Sequence, residues 1–460
     1  MNKEINPTNN FEGFWWIPNE KKRKCPGKLS ISASEIGLEL NGSVIDENQI
    51  TTNKHVSIEI ILGELFNGDK ITLASCHFKS AQIGKATKVV YNVINVYKNT
   101  HFTRLKKIRF KIIKVHFWYL NEWHDNYEIK LKPFVPSSHI TAKYKDPKKT
   151  TVKINSELTI SLIREIIDKS VSFPITKFEI KPEAYFTLKY SKEKSINDIE
   201  SDIERLQNFL TLCVGEPTHP YKILGMPIKN SKQVTMFGQR FIEIYSKLPT
   251  LTKKSIRDND CLIVFSQIKN KFPNLLKKWW GISEDLDSVL RLYFDVIYYP
   301  TLSKEVKFLY ATQAIESYHR LKMQIKSQTK TEKKRRVDIL NALPKNYKNW
   351  LSQRFPREEP ILYTRLYAIL KKITPIVGQS TQNQKEEFIH KFKDTRNYLT
   401  HHDESGKKFI LKGNELEWFA MKIQFILLVI LLQEMRFNSK KIKNLIQIHI
   451  PDTFILKRFF

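Results

Sequence analysis

Hydrophobic residues follow two different periods in this chain, and the change between them constrains the fold more than any other feature. As far as about residue 190 they alternate with polar ones, whereas beyond about residue 299 they recur three and four positions apart. A strand turns successive side chains to opposite faces and a helix brings one face round every ~3.6 residues, so neither pattern suits the other's backbone. The expectation is an α+β multidomain protein with a β-rich front and an all-α end.

Within the front, runs at 56–66 and 70–78 flank Asn67-Gly68-Asp69. An Asn-Gly step between two such runs predicts a hairpin, because both residues tolerate positive φ. Over 105–118, Ile108, Phe110 and Ile112 alternate with Lys107, Arg109 and Lys111, which predicts a strand with one basic face, open to solvent or to phosphate. At Ser195 the period changes. Ile196, Ile199, Ile203, Leu206, Phe209, Leu210 and Cys213 fall at helical spacing, Ser195 suits the cap, Asp198 and Glu200 suit the positive end, and Gly215 suits the stop. Leu275, Leu276, Trp279 and Trp280 predict another helix. The chain therefore divides into a β-rich region 1–190, a mixed continuation 191–298 and a helical block 299–460.

In that block a long helix is expected over 303–326, with Val306, Leu309, Ile315, Tyr318, Leu321 and Ile325 as its apolar stripe. A basic polar connector follows at 326–336. Further helices are expected at 337–343, 361–373, 382–400 and 415–437, the second and third separated by Pro375 and Gly378. That is a bundle of four or five helices.

Lysine and arginine number 77 against 47 acidic residues, a formal charge of +30, and such an excess attracts polyanions, of which nucleic acid is the commonest large one in a cell. A coding bias toward Lys, Ile and Asn would give the same excess without any partner. Cys25, Cys76, Cys213 and Cys261 stand far apart with no C-x-x-C pair, so neither a zinc site nor a disulfide framework is indicated and a reducing cytoplasm fits. The first residues lack the apolar core of a signal peptide. The most apolar run, 425–432, falls well short of the ~20 residues that cross a bilayer, so no membrane association is expected.

Residue types suited to catalysis meet at one place, Arg396-Asn397-x-x-x-His401 near the end of the helix expected at 382–400. Histidine titrates near neutrality and can move a proton either way. Arginine stays charged, and its planar fork matches two phosphate oxygens. Asn397 can orient either partner without adding charge. On an ideal helix of ~100° per residue, Asn397 and His401 share a face while Arg396 stands ~140° from His401. The arginine must then reach around the helix or work with a histidine from elsewhere. His402 would replace His401 if the helix shifts by one residue, and otherwise supports or caps. Glu316 on the preceding long helix either holds Arg396 in an ion pair or is an unrelated solvated acid, and Tyr398 either packs or stacks on a base. An Arg-His pair that merely satisfies helix-end carbonyls is the plain structural alternative. No clustered carboxylates with convincing spacing support a metal-dependent nuclease.

The Arg396-Asn397-x-x-x-His401 arrangement, late in a helical bundle and ahead of a final hydrophobic helix, resembles the motif of HEPN-domain ribonucleases. Trp15-Trp16-x-Pro18, Pro26-Gly27-x-Leu29 and the β-rich front resemble the N-terminal domain of ApeA-type anti-phage proteins, which precedes a HEPN domain; without that resemblance Trp15 and Trp16 read as packing aromatics. The resemblance implies a HEPN-type bundle and a metal-independent endoribonuclease that cleaves RNA through its 2′-hydroxyl. It also implies an anti-phage abortive-infection role, a homodimer through the HEPN domain, tRNA or another structured RNA as substrate, a phage-derived trigger, and no cofactor or metal. Catalysis would fall to Arg396, Asn397 and His401, supported by His402 and Glu316. The competing reading is a non-catalytic nucleic-acid-binding or scaffold protein with a HEPN-like bundle.

Overall fold

The Asn67-Gly68 step does join two strands, β4 (Ser57–Leu65) and β5 (Lys70–Gln82), but only Gly68 takes positive φ, at +84°. Asn67 instead uses its side chain, whose Oδ1 accepts from the Asp69 backbone N–H at 3.0 Å, so the turn is built on an Asx bond rather than on two left-handed residues. The computed structural model describes residues 9–46, 50, 57–84, 86–124, 128–131, 142–145, 149–171, 178–227, 241–245, 253–256, 260–323, 330–354, 361–378, 380–402 and 409–449. Two compact units account for the chain, Met1–Lys277 and Lys278–Phe460.

In the first unit β4 and β5 belong to a ring of six antiparallel strands with β1 (Asn9–Trp16), β2 (Cys25–Ile31), β3 (Ile36–Asn41) and β6 (Lys88–Lys98), in the order β1-β2-β3-β6-β5-β4 and back to β1. Closure follows from pairing β6 with β5 as well as with β3, and it leaves these strands no shared open edge. Leu29, Ile31, Leu38, Leu40, Ile71, Leu73 and Tyr91 fill the interior together with Trp15. Strand alternation sends the neighbouring Trp16 the other way, where it packs on Ile60 and Leu62 under the Lys24 ammonium, 4.6 Å from the ring centroid. Trp15 Nε1 donates to the Gly27 carbonyl at 3.0 Å, and its six-membered ring lies against the backbone of Gly63, where a Cβ would stand 2.3 Å from Cζ3.

From the far end of β6 the sheet continues as an open run, β14 (Ile242–Tyr245), β13 (Pro220–Pro227), β7 (Phe110–Phe117), β12 (Phe178–Lys194), β11 (Leu158–Val171) and β10 (Thr150–Lys153). A separate two-stranded pair joins β8 (Glu128–Leu131) to β9 (Ala142–Lys145). The strand expected over 105–118 begins later, because Leu105–Lys107 forms a 3-10 turn. Its inward face also differs. Both partner registers shift between Phe110 and Ile112, so the buried series passes from Phe110 to Ile113, Val115 and Phe117, leaving Ile112 half-buried.

Helix α1 (Ile196–Val214) follows β12 and has the expected ends. Ser195 and Asp198 form a capping box, and Gly215 closes the helix at φ +83°. Trp123 anchors this end of the unit: its Nε1 donates to the Ile263 carbonyl at 2.7 Å, and its ring meets Phe209, Phe265 and Phe272 edge-on. The four cysteines are buried free thiols.

Helix α2 (Phe272–Asp285) carries the chain into the second unit, which is all helix among its described residues: α3 (Asp287–Tyr298), α4 (Lys304–Lys322), α5 (Lys330–Ala342), α6 (Lys345–Arg354), α7 (Leu362–Val377), α8 (Gln382–His401), α9 (Gly413–Glu434) and α10 (Ser439–His449). The fold is therefore α+β, with a β-rich front and a helical C-terminal region. Three details differ from the sequence reading. The basic segment expected as a connector is helical from Lys330 onward, and Pro375 lies inside the last turn of α7 rather than between helices. In α4 the buried stripe is Phe308, Ala311, Ile315 and Tyr318, while Leu321 is exposed, because α3 and α9 cover a face rotated from the one the larger side chains suggested.

Helix α9 is buried over most of its circumference from Ile423 to Leu432, the mark of a central helix. Phe419 of α9 stacks on Phe388 of α8, and Phe308 of α4 packs against Phe392 and Phe419. A polar link fixes three helices at one end: Tyr318 Oη donates to Glu434 Oε1 at 2.6 Å and Lys372 Nζ to the same oxygen at 3.0 Å. Burial alone would raise the Glu434 carboxyl, but the bonds from Tyr318 and Lys372 outweigh it and hold the group below the usual carboxylate range.

Candidate active site

Helix α8 is positioned from both ends. Thr381 caps its start and forms a capping box with Gln384, while Phe388, Ile389, Phe392 and Thr395 bury one stripe in the bundle. Thr395 does more than pack. Its hydroxyl oxygen accepts from the Leu411 N–H at 3.0 Å and the hydroxyl donates to the Phe409 carbonyl at 3.3 Å, tying the end of α8 to the segment that leads into α9. A threonine in register with the apolar stripe of Phe388 and Phe392 is the signal for it in the sequence, and burial in the structure gives it its meaning. The helix ends at His401, and His402 caps it in the left-handed region at φ +53°, its N–H donating to the Tyr398 carbonyl at 2.8 Å.

Stability of this end matters because the residues with phosphate and proton chemistry stand on its last two turns. Arg396 has a side chain 31% exposed and turns toward α4, where its Nε lies 3.3 Å from Glu316 Oε1. Glu316 is the more enclosed partner at 15%. Arg396 Nη1 also donates to Asn397 Oδ1, at 3.4 Å. The structure thus brings Arg396, Asn397 and Glu316 together, and the guanidinium keeps further N–H groups for a ligand.

His401 and His402 are both exposed. Among the described residues no hydrogen bond or ion pair joins either imidazole to Arg396, Asn397 or Glu316. The helical rotation of ~140° between Arg396 and His401 is the geometric reason: Glu316 draws the arginine toward the bundle while the histidine faces out. Tyr398 neither stacks openly nor sinks into the core. Its half-buried ring lies between the His402 ring, edge-on at 6.0 Å, and Lys412 Nζ at 5.8 Å. Asp403 and the turn expected at Ser405-Gly406 lie outside the described residues.

One further histidine stands near on α4, a turn beyond Glu316. His319 is buried, and desolvation together with the Arg365 charge pushes its pKa down, so it stays neutral. Among the described residues no group of three or more His, Cys, Asp or Glu side chains is arranged to hold a metal, and no helix is long and apolar enough to cross a membrane. What the arrangement offers chemically is a fixed planar cation, a neutral amide beside it, and an exposed imidazole on the opposite face of the same helix end.

Residues 10–279 match the family described as ApeA N-terminal domain 1, and residues 309–441 match the family described as Apea-like HEPN. The second match contains Glu316, Arg396, Asn397 and His401. No curated protein and no solved structure matches the chain.

Proposed function

Because the chain belongs to the ApeA family, joining an ApeA N-terminal domain 1 to an Apea-like HEPN domain, we propose that it is a metal-independent endoribonuclease acting as an anti-phage effector. The observation that carries this reading is the division of labour on α8: Arg396 held by Glu316 and Asn397, His401 free on the outer face. One copy of the motif is geometrically incomplete, and two copies around a twofold axis complete it. The active unit is a homodimer through the HEPN domain, with the arginine of one protomer serving the phosphate beside the imidazole of its partner.

In the cleft so formed, one His401 accepts the proton of the RNA 2′-hydroxyl as its oxygen attacks the adjacent phosphorus. The Arg396 fork binds the non-bridging oxygens as negative charge builds on them, with Asn397 keeping the fork in plane. The second His401 gives its proton to the departing 5′-oxygen. The products are a 2′,3′-cyclic phosphate and a 5′-hydroxyl, with no water and no metal consumed. His402 supports the helix end and Glu316 holds the arginine. The β-rich unit senses or restrains, a phage-derived trigger releases it in the cytoplasm, and a structured RNA such as tRNA is the substrate.

The test is expression of the wild type, Arg396→Ala and His401→Ala, followed by sequencing of RNA ends with their terminal phosphates. Cyclic-phosphate ends in the wild type alone, formed in EDTA, support the proposal. Equal RNA profiles for all three proteins under triggering conditions would leave the non-catalytic, nucleic-acid-binding reading.

A further inference from the structure

Helices α5 and α6 pack on each other as a hairpin, and none of the described residues from 334 to 351 is buried. Leu340, Leu343 and Leu351 are no more than half-buried. Helices as short as these draw their stability from tertiary packing, and this pair draws little from the unit that carries it. The hairpin is an arm with its surface turned outward.

Two kinds of side chain occupy that surface. Tyr347 and Trp350 are 54% and 53% exposed, and Asn346 beside them is exposed too. At ~100° per residue the three fall within an arc of ~100° on α6, so one side of the helix presents two flat rings and an amide. Over 334–351 the cations Lys334, Arg335, Arg336, Lys345 and Lys348 stand against a single acid, Asp338. Charge and aromatic surface together narrow the occupant. An apolar protein surface would cover the rings but desolvate the cations beside them without a partner, and a second copy of the arm would bring like charges together. An RNA strand answers both, because its phosphates carry the opposite charge and its unpaired bases offer flat faces to the rings.

The place of the arm in the chain ties it to the candidate active site. It is inserted between the end of α4 at Lys322 and the start of α7 at Leu362. Glu316, which holds Arg396, lies six residues before Lys322, ~9 Å along α4. Arg365 in the first turn of α7 is near enough for its charge to act on His319, a turn beyond Glu316. The two helices that carry the arm therefore end and begin close to the arginine. We propose that the α5–α6 hairpin is an RNA-gripping arm, which stacks unpaired bases of the substrate on Tyr347 and Trp350 and holds the adjoining phosphates with its cations. This rests on the ribonuclease reading above and adds to it an element that favours single-stranded or looped RNA over duplex.

The experiment separates the two. In a full-length His401→Ala background, which stops cleavage, a fluorescein-labelled 20-nucleotide single-stranded RNA of mixed sequence is titrated at several KCl concentrations, alone and annealed to its complement. Changing Tyr347 and Trp350 to Ala is expected to weaken single-strand binding at least tenfold at ~0.1 M salt, with the salt slope and duplex binding almost unchanged. Alanine favours a helix more than either aromatic does, so α6 survives the change. Phe at both positions should bind as the parent does. Gln at Lys334, Arg335, Lys345 and Lys348 should lower the slope of log K against log salt by about 2–3, at ~0.7 per phosphate contact. Phe66→Ala, which removes an exposed ring from the first unit, should change nothing. An unchanged Tyr347→Ala/Trp350→Ala variant overturns the proposal, as does an equal loss in Phe66→Ala or a parent that binds no RNA. Polyglutamate that displaces the RNA at matched charge would make the arm a site for acidic protein and overturn it as well. Cleavage that depends on Arg396 and His401 but ignores the arm would sink the arm and spare the ribonuclease. Arm-dependent binding without His401-dependent cleavage would do the reverse.

Discussion

Glu316→Gln keeps the size of the side chain and removes the charge that faces Arg396. At 3.3 Å two unit charges attract by ~1.3 kcal/mol in water and by ~5 kcal/mol at an effective dielectric of 20. Solvent reaches the arginine, 31% exposed, more than the glutamate at 15%, so screening and ordering bring the net value to about 1 kcal/mol. The larger effect is expected in catalysis. An arginine that stabilises the charged transition state is worth about 10²–10³ in rate, and loosening its hold should forfeit part of that factor, leaving cleavage about tenfold slower. Single-turnover cleavage of end-labelled RNA by wild type, Glu316→Gln, Arg396→Ala and the double variant measures this. If Glu316 acts only through Arg396, Glu316→Gln adds nothing in the Arg396→Ala background. Independent, multiplying losses would refute the positioning argument, and so would a Glu316→Gln protein that cleaves at the full rate.

Gly63→Ala should destabilise the first unit by about 1–3 kcal/mol, read as a lower urea midpoint, because the new methyl would meet the Trp15 ring inside the closed barrel. Acidification should weaken the same unit through His124 and His219, whose pKa values burial lowers to about 4, with Arg164 and Lys269 adding to the effect at His124. These rings take up protons first in the unfolded chain, so stability is full above pH 6.5 and declines as pH falls from 6.5 toward 4, by up to ~1.4 kcal/mol per pH unit for each histidine. Urea melts across that range check it, and His124→Phe should make the decline shallower. Thr395→Val should leave the α8 core packed but unpin the Leu411 N–H, costing about 1–2 kcal/mol in unfolding free energy and lowering protection of that amide in hydrogen exchange.

What the sequence disclosed was what depends on neighbours in the chain. Ser195, Asp198 and Gly215 set the ends of α1 by contacts within three or four residues, and the stripe of Phe388 and Phe392 placed α8 to within a residue or two. Features set by distant partners stayed hidden. The barrel closes because β6 meets β5 and β3 together, which no local pattern encodes. The break in the alternation of β7 accompanies shifts in its registers with β12 and β13, which lie far along the chain. At the candidate site the spacing of Arg396 and His401 already implied opposite faces, but only packing of α4 on α8 shows which way the arginine turns. Thr395 escaped notice because its two partners, Phe409 and Leu411, lie beyond the helix end.

Strand β6 has a consequence for how such a protein is assembled and altered. Its last residues, Val96–Lys98, pair on one side with Ile71–Leu73 of β5 and on the other with Glu243–Tyr245 of β14. One stretch of main chain therefore belongs to both the barrel and the open sheet, and lifting either away would bare a row of N–H and C=O groups ready to pair with another molecule. The barrel is not a separable module despite its closed ring. Shortened versions that keep the barrel and drop the strand near residue 242 should aggregate through β6, and shuffling between relatives should succeed only with breakpoints that exchange β5, β6 and β14 as one inheritance unit.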